Sequence, residues 1–389
     1  MSCRSVDEEY MARALALAGL AEGRTAPNPM VGCLVLDAKG TVVGEGYHQR
    51  AGESHAEVFA LDQAGDAARG GTLYVTLEPC CHFGRTPPCS QKVIASGVKR
   101  VVVGIADPNP KVAGGGLKEL QEAGIEVVVG VLEAECRYQN RGFLKSMSQN
   151  LPWLALKMAV TLDGKIADRW GKSRWITGSA ARQYVMQLRS RFDAVFVGAG
   201  TARLDDPSLT VRLENGASVL GSGPPPLPVH SPLRVVLDSE LGLRPSAKIF
   251  SGGAQGVRTI VFCQQDVLDK KSLAGCALYP DTVEVVGIAG GASGLDLSAC
   301  LAALKERGVN KVLCEGGAHL GGALLDQNLV DELYWFVAPK LLVDGQALSA
   351  VTSTRARALA DVSNMKVKEQ RILGDDVLIH ALFMPCSDI

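Results

Sequence analysis

Apolar positions along the first part of the chain switch repeatedly between a helical and a strand period. In SVDEEYMARALALAG, Met11, Leu15 and Ala18 share a helical face behind Ser5 and Glu8 in capping-box spacing. VGCLVL and TVVGEG, joined by the turn DAKG, predict a hairpin. A helix follows from about Ser54 to Ala68, then the strand TLYVTL and a short helix from Cys89 to Ser96. The apolar strand RVVVGI, the turn DPNP, a helix ending at Gly124, the strand IEVVVG and one longer helix through RYQNRGFLKS complete this series. Strands separated by helices predict a largely parallel sheet with helices on its faces.

The segment SMSQNLPW reads as a boundary, and a second α/β series begins after it. It runs through WLALKMAV, the helix SAARQYVMQLRSR, and the strands AVFVGAG, RVVLDS, RTIVFC and VEVVGI. The helix DLSACLAALKERG, the strand KVLCEGG, the helix LGGALLDQNLV and the strand ELYWFVAPKLL follow. The tail MKVKEQRILGDDVLIHALF predicts an antiparallel hairpin, and the Pro/Gly/Ser-rich residues 213–232 a long surface loop. The halves share no repeat. A length of 389 residues suits two different domains, expected at 1–148 and 149–389.

Composition removes several classes of function. With 40 basic against 41 acidic residues and only 5% aromatics, the chain lacks the basic groove and stacking platforms of a nucleic-acid reader, so a small-molecule substrate is expected. The start MSCRSVDEEY is too acidic for a targeting peptide, and no apolar run reaches the ~18 residues of a membrane helix, so a cytoplasmic protein is expected. The apolar strand ELYWFVAPKLL is a candidate subunit contact, and a homo-oligomer is expected. Of 11 cysteines most are scattered and read as small hydrophobes; only Cys80, Cys81 and Cys89 cluster, in TLEPCCHFGRTPPC.

Upstream of that cluster, in GESHAEVFA, His55 and Glu57 stand where a helix begins. His55, Cys80 and Cys89 offer three ligands to a tetrahedral zinc whose fourth position is left for water. Helix N-termini favour the thiolates. Such a zinc acidifies its water, and Glu57 is the nearest group to carry protons from water to a leaving amine. This is the pattern of zinc deaminases, H-x-E followed by P-C and a second Cys. Two plainer explanations stand beside it. Ser54 and Glu57 fit a capping box, and Cys81 or His82 could close a structural site with four ligands. Eight residues, CHFGRTPP, separate the ligand cysteines, and this loop holds His82 and Arg85, suited to a phosphate or ribose.

In the second half AVFVGAGTARLDD and CEGGAHLGG place glycines between strand and helix, which lets backbone N–H groups approach phosphates. Arg203 occupies the third-glycine position and no acidic ribose reader follows, so the ordinary dinucleotide fingerprint fails. Lys157 interrupts one apolar strand and Glu315 ends another. They are candidates for proton transfer beside a hydride donor, with a snorkelling Lys157 the plainer alternative.

PNPMVG, GYHQRAGESHAE, TLEPCCHFGRTPPC and DPNP with GGGL resemble the deaminase half of the bifunctional riboflavin-biosynthesis deaminase/reductase family. KMAVTLDGKIA, SRWITG, LDDPSLTVR, CEGGAHLGGALL and VAPKLL resemble its reductase half. The resemblance implies an N-terminal cytidine-deaminase-like three-layer α/β/α domain followed by a dihydrofolate-reductase-like α/β domain. It implies zinc on His55, Cys80 and Cys89, with Glu57 as proton shuttle. Asn28, His48, Cys81, His82 and Arg85 would line the aminopyrimidine pocket. NADPH would lie against Ala159, Trp175, Thr201, Asp205, Ser239, Gly317, Ala318, His319, Leu320, Gly321, Gly322 and Ala323. Substrate in the reductase half would meet Ser173, Arg189, Leu209, Arg212 and Glu315. Two other functions stay open on sequence: a nucleoside or nucleic-acid deaminase whose second half only binds substrate, and a zinc-clasped binding protein without catalysis.

Overall fold

The capping box forms as its spacing predicts: Ser5 Oγ accepts from Glu8 N, and the Glu8 carboxylate takes the Ser5 N–H at 2.8 Å. It opens α1 (Val6–Gly19), whose buried face is Met11, Ala14 and Ala18, with Leu15 half-buried. The hairpin β1 (Gly32–Leu36) and β2 (Val42–Tyr47), α2 (Ala56–Ala64), β3 (Thr72–Leu77), α3 (Cys89–Ser96) and β4 (Arg100–Ile105) follow, then α4 (Gly115–Glu122) and β5 (Glu126–Val129). The single helix expected through RYQNRGFLKS is two, α5 (Glu133–Gln139) and α6 (Arg141–Gln149). The break is at Asn140, whose side chain accepts from Met30 N at 2.8 Å and donates to Met30 O at 2.9 Å.

This is a computed structural model, and it describes residues 5–383 apart from 84–86, 110–111, 113, 213–230, 253–255, 274–278, 292–293, 354, 356–357, 360–361 and 363. The loop expected at 213–232 lies almost wholly outside the described residues. The chain divides into two compact units between Asn150 and Leu151.

In the first unit the strand order is β2-β1-β3-β4-β5, with β3, β4 and β5 parallel and β1 antiparallel to both its neighbours. All of β1 is buried because the sheet is covered on both sides. Cys33 and Val35 pack with Ala56 and Ala60 of α2, Val93 of α3 and Leu120 of α4. Leu34 and Leu36 pack with Met11 of α1 and Phe143 of α6 on the other side. The result is three layers, α/β/α. His55, Cys80 and Cys89 all stand at the edges of α2, β3 and α3.

The second unit contains β6 (Trp153–Thr161), β7 (Lys165–Ala167), α7 (Ser179–Ser190), β8 (Ala194–Gly198), α8 (Ala199–Asp205), β9 (Leu233–Leu237), β10 (Thr259–Gln264) and α9 (Gln265–Leu273). After these come β11 (Val283–Ile288), β12 (Gly290–Gly291), β13 (Gly294–Leu295), α10 (Leu297–Glu306), β14 (Lys311–Cys314) and α11 (Ala318–Asp326). β15 (Glu332–Ala338), β16 (Leu348–Ser349), β17 (Met365–Leu373) and β18 (Asp376–Phe383) end it. Its main sheet runs β11-β10-β9-β8-β14-β6-β15-β18-β17; all pairs are parallel except the two that include β18. α7 covers one face, and α10 with α11 the other. β15 lies inside this sheet between β6 and β18, with Tyr334 and Phe336 buried. Most of the stretch expected at a subunit contact is therefore core, while its last apolar residues, Leu341 and Leu342, are exposed, as is Val343 after them.

Candidate metal centre and reductase site

Three short connections converge on one point in the first unit. His55 is the N-cap of α2, Cys80 lies three residues past β3, and Cys89 is the first residue of α3. Their ligand atoms all lie within 4.8 Å of one another, and among the described residues this is the one such cluster. His55 Nδ1 is 3.2 Å from Cys89 Sγ and 3.6 Å from Cys80 Sγ. Bonds of zinc length at tetrahedral angles separate ligand atoms by about 3.3–3.8 Å, so the donor set fits the ion. The electrostatics agree. A hydrogen bond from Cys89 pulls the Cys80 thiol down to about 4, with His55 adding to it, and the same bond holds the Cys89 thiol up. Two sulfurs sharing one proton suit a dication, which takes both as thiolates.

Glu57 is the second residue of α2 and 3% exposed. Burial pushes its carboxyl up to about 7 against the pull of His55. Its presence is not explained by a cap. The helix expected from Ser54 starts at Ala56, His55 makes no side-chain cap bond, and the Ser54–Glu57 box does not form. Exposed His82 and half-buried Cys81 both lie outside the ligand cluster, so neither closes a structural site with four ligands. Arg85 lies outside the described residues.

Asn28 and His48 are brought to the same place. His48 Nδ1 donates to Ser54 O at 3.0 Å, which leaves Nε2 to accept from Asn28 Nδ2 at 3.1 Å. Burial lowers the His48 pKa, and its ring meets His55 edge-on at 5.5 Å. Cys81 is half-buried, with Gly115 packed against its sulfur. No motif singles out Glu78, a 3% exposed carboxylate between β3 and Cys80. Only its apolar flank, TL before and PC after, could have pointed to burial.

In the second unit the candidate residues gather at the C-terminal ends of β6, β14, β8 and β9. Glu315 follows β14, and Arg189 of α7 grips it in a fork, Nε to Oε1 at 2.5 Å and Nη2 to Oε2 at 3.1 Å. Lys157 Nζ lies 4.0 Å from Glu315 Oε2 and 5.9 Å from the Phe336 ring centroid. Lys157 therefore turns inward and does not snorkel. Burial lowers its pKa while Glu315 opposes that. Burial pushes Glu315 up, but Arg189 and Lys157 outweigh it and hold the carboxyl below its usual range. Arg189, expected at the substrate, thus spends two of its nitrogens on Glu315 and a third on Thr210 O at 3.3 Å.

Gly198 caps α8 and Gly317 caps α11, and neither supplies a side-chain bond to the first-turn N–H groups, where negative charge is favoured. The two starts adjoin: a Cβ on Gly317 would stand 3.1 Å from Thr201 Oγ1. Ala318, Gly321 and Gly322 are buried, His319 is exposed, and Leu320 and Ala323 are half-buried. Ala159 lies on β6 and Ser239 just after β9. Ser173 Oγ donates to Asp205 Oδ1 at 2.8 Å. Trp175 is 65% exposed beneath the Arg182 guanidinium, 4.5 Å from its ring centroid. Leu209 is buried and Arg212 exposed.

Residues 4–105 match the family described as the cytidine and deoxycytidylate deaminase zinc-binding region, and residues 152–379 match the RibD C-terminal domain. The riboflavin biosynthesis protein RibD of Escherichia coli is 43% identical over 374 residues, covering 96% of this chain and 98% of that one. The RibD of Aquifex aeolicus is 40% identical over 377 residues, covering 97% and 98%. A solved structure of Acinetobacter baumannii RibD has TM-score 0.83 at 38% identity over 97% of this chain and 99% of that chain. A Thermotoga maritima diaminohydroxyphosphoribosylaminopyrimidine deaminase/5-amino-6-(5-phosphoribosylamino)uracil reductase has TM-score 0.83 at 35% identity over 97% and 98%.

Proposed function

The chain belongs to the RibD family of bifunctional deaminase/reductases of riboflavin biosynthesis, and from that premise we propose how its residues divide the work. Residues 1–148 remove the 2-amino group of a diaminopyrimidinone ribosylamine 5′-phosphate, and residues 149–389 reduce the ribosyl group of the product to ribityl. The observation that carries the first step is the cluster of His55, Cys80 and Cys89 with a buried Glu57 two residues from the histidine.

Zinc, when bound, activates water at neutral pH, and NADPH supplies a hydride. Everything else falls to side chains. His55, Cys80 and Cys89 hold the ion. Glu57 takes a proton from water and returns it to the departing amine. His48, fixed as one tautomer by Ser54, aims Asn28 into the pocket beside Cys81 and His82. In the second half the ribosyl group reacts as its open-chain imine, whose carbon takes the hydride while Lys157 Nζ gives the proton that the imine nitrogen gains. Glu315, kept ionised by Arg189, holds that ammonium in place. Glycine-capped helix starts at Gly198 and Gly317 receive the cofactor phosphates, with Ser173, Leu209, Arg189 and Arg212 on the substrate side.

The substrate is a small molecule and not nucleic acid, which the balanced charge supports. No helix among the described residues is long and apolar enough to cross a membrane, and we place the enzyme in the cytoplasm. We infer a homo-oligomer, supported by apolar side chains at Leu162, Trp170, Leu341 and Val343 that face solvent in the single chain. Metal analysis together with two assays tests the whole assignment. One zinc per chain, ammonia release from the aminopyrimidine phosphate and NADPH oxidation by its deaminated product are expected. Absence of bound metal defeats the first step, and absence of NADPH oxidation the second.

A further inference from the structure

We propose that Glu78 is a positioning residue for deamination: its carboxylate holds Asp107 and the start of α4 beside Pro79 and Cys81 and so builds one wall of the pyrimidine pocket. This rests on the deaminase assignment made above. Glu78 directly follows β3, and its N–H bonds Ile105 O at 3.0 Å, which extends the β3–β4 pairing by one step. Its side chain then turns into the connection that leaves β4. Oε2 accepts from Asp107 N at 3.0 Å and Gly114 N at 3.2 Å; Oε1 accepts from Gly116 N at 3.0 Å and Leu117 N at 3.3 Å.

Gly116 and Leu117 are the second and third residues of α4, whose N-cap is Gly114, without a side-chain cap bond. A helix leaves its first N–H groups without partners, and a negative charge is favoured there. Glu78 supplies, from another part of the chain, the cap that the local sequence lacks. The start of α4 also lies flush on Pro79 and Cys81. A Cβ on Gly116 would stand 2.0 Å from Pro79 O, and one on Gly115 2.7 Å from Cys81 Sγ. Gly114 has a φ of +83°. The three glycines of GGGL thus answer three separate demands, all tied to residues 78–81. Asp107, two residues past β4, feels the charges of Cys80 and His82. Moving the clamp moves this wall relative to the metal without touching a ligand.

Glu78→Gln keeps the side chain's shape but turns one acceptor oxygen into an amide that cannot accept, so two of the four backbone donors lose their partner. In the full-length zinc-loaded enzyme, expected results are unchanged zinc content, unchanged NADPH-dependent reduction, and a deaminase KM raised roughly ten- to hundred-fold with kcat nearly unaltered. Amide exchange at Asp107, Gly114, Gly116 and Leu117 accelerates in the same variant. A native KM overturns the proposal. So does loss of zinc or a fall in kcat alone, since either puts Glu78 in service of the ligands. Should the variant fail to fold, exchange in the unaltered enzyme decides: protection at these four amides like that of β4 is expected, and free-loop rates overturn the clamp. If the unaltered enzyme releases no ammonia, the deaminase assignment fails, and the exchange measurement alone decides the clamp.

Discussion

At the scale of single residues the two sites solve one problem, holding a charge in a place that disfavours it, by different means. Around Cys80 and Cys89 the fitting countercharge is a metal; around Glu315 it is Arg189 together with Lys157. Glu57→Gln preserves size and hydrogen bonding but cannot carry a proton. Ammonia release should fall by about 10²–10⁴-fold while zinc stays bound and NADPH oxidation is untouched, as parallel assays of metal and both activities would show. Arg189→Met acts through charge at the other site. Arg189 holds Glu315 below its usual range and also lowers Lys157, while Asp205 and Glu315 raise Lys157. Without Arg189 the Glu315 carboxyl rises, so ionised Glu315 is lost at higher pH than before and the acid limb of reduction moves up. Lys157, freed of a neighbouring cation, also rises, and the alkaline limb follows it. A kcat/KM profile for reduction whose limbs both shift to higher pH is expected; limbs that stay in place would show that Arg189 does not set this pair.

At the scale of elements, what a single sequence reveals is what neighbours in the chain dictate. The Ser5–Glu8 box, the hairpin of β1 and β2, and the start of α3 at Cys89 depend on residues a few positions apart, and the pattern exposed them. The break between α5 and α6 is different, because Asn140 bonds a backbone 110 positions away. Glu78 likewise caps a helix 38 positions on. The Ser54–Glu57 spacing misled for the same reason: the helix begins at Ala56, and burial of Glu57 beside the ligands governs its place more than local capping does. Arg85 and the long loop of the second half fall outside the described residues. Asn140→Ala tests the tertiary origin of the break. It strips both partners from the Met30 N–H and C=O in a buried site, a cost of about 2–5 kcal/mol, read as a lower denaturation midpoint of the first unit. A change below about 0.5 kcal/mol would mean that water or a neighbour replaces the amide without loss.

At the scale of the whole molecule, two compact units meet in sequence at Asn150 and Leu151, each with its own sheet and its own buried faces. The three metal ligands lie in the first unit; Lys157, Arg189, Glu315 and the two glycine-capped helices lie in the second. No residue assigned to one reaction comes from the other unit, so the activities should be separable by perturbations that leave the fold intact. Removing zinc with a chelator deprives His55, Cys80 and Cys89 of their countercharge and should abolish ammonia release. NADPH oxidation by the deaminated product should continue at its original rate. Lys157→Met should do the reverse, halting NADPH oxidation while ammonia release proceeds. Each experiment controls for the other, since global unfolding would silence both reactions together. Loss of reduction on chelation would show that the second unit depends on the metal-bound state of the first, and the two sites would then have to be treated as one coupled device.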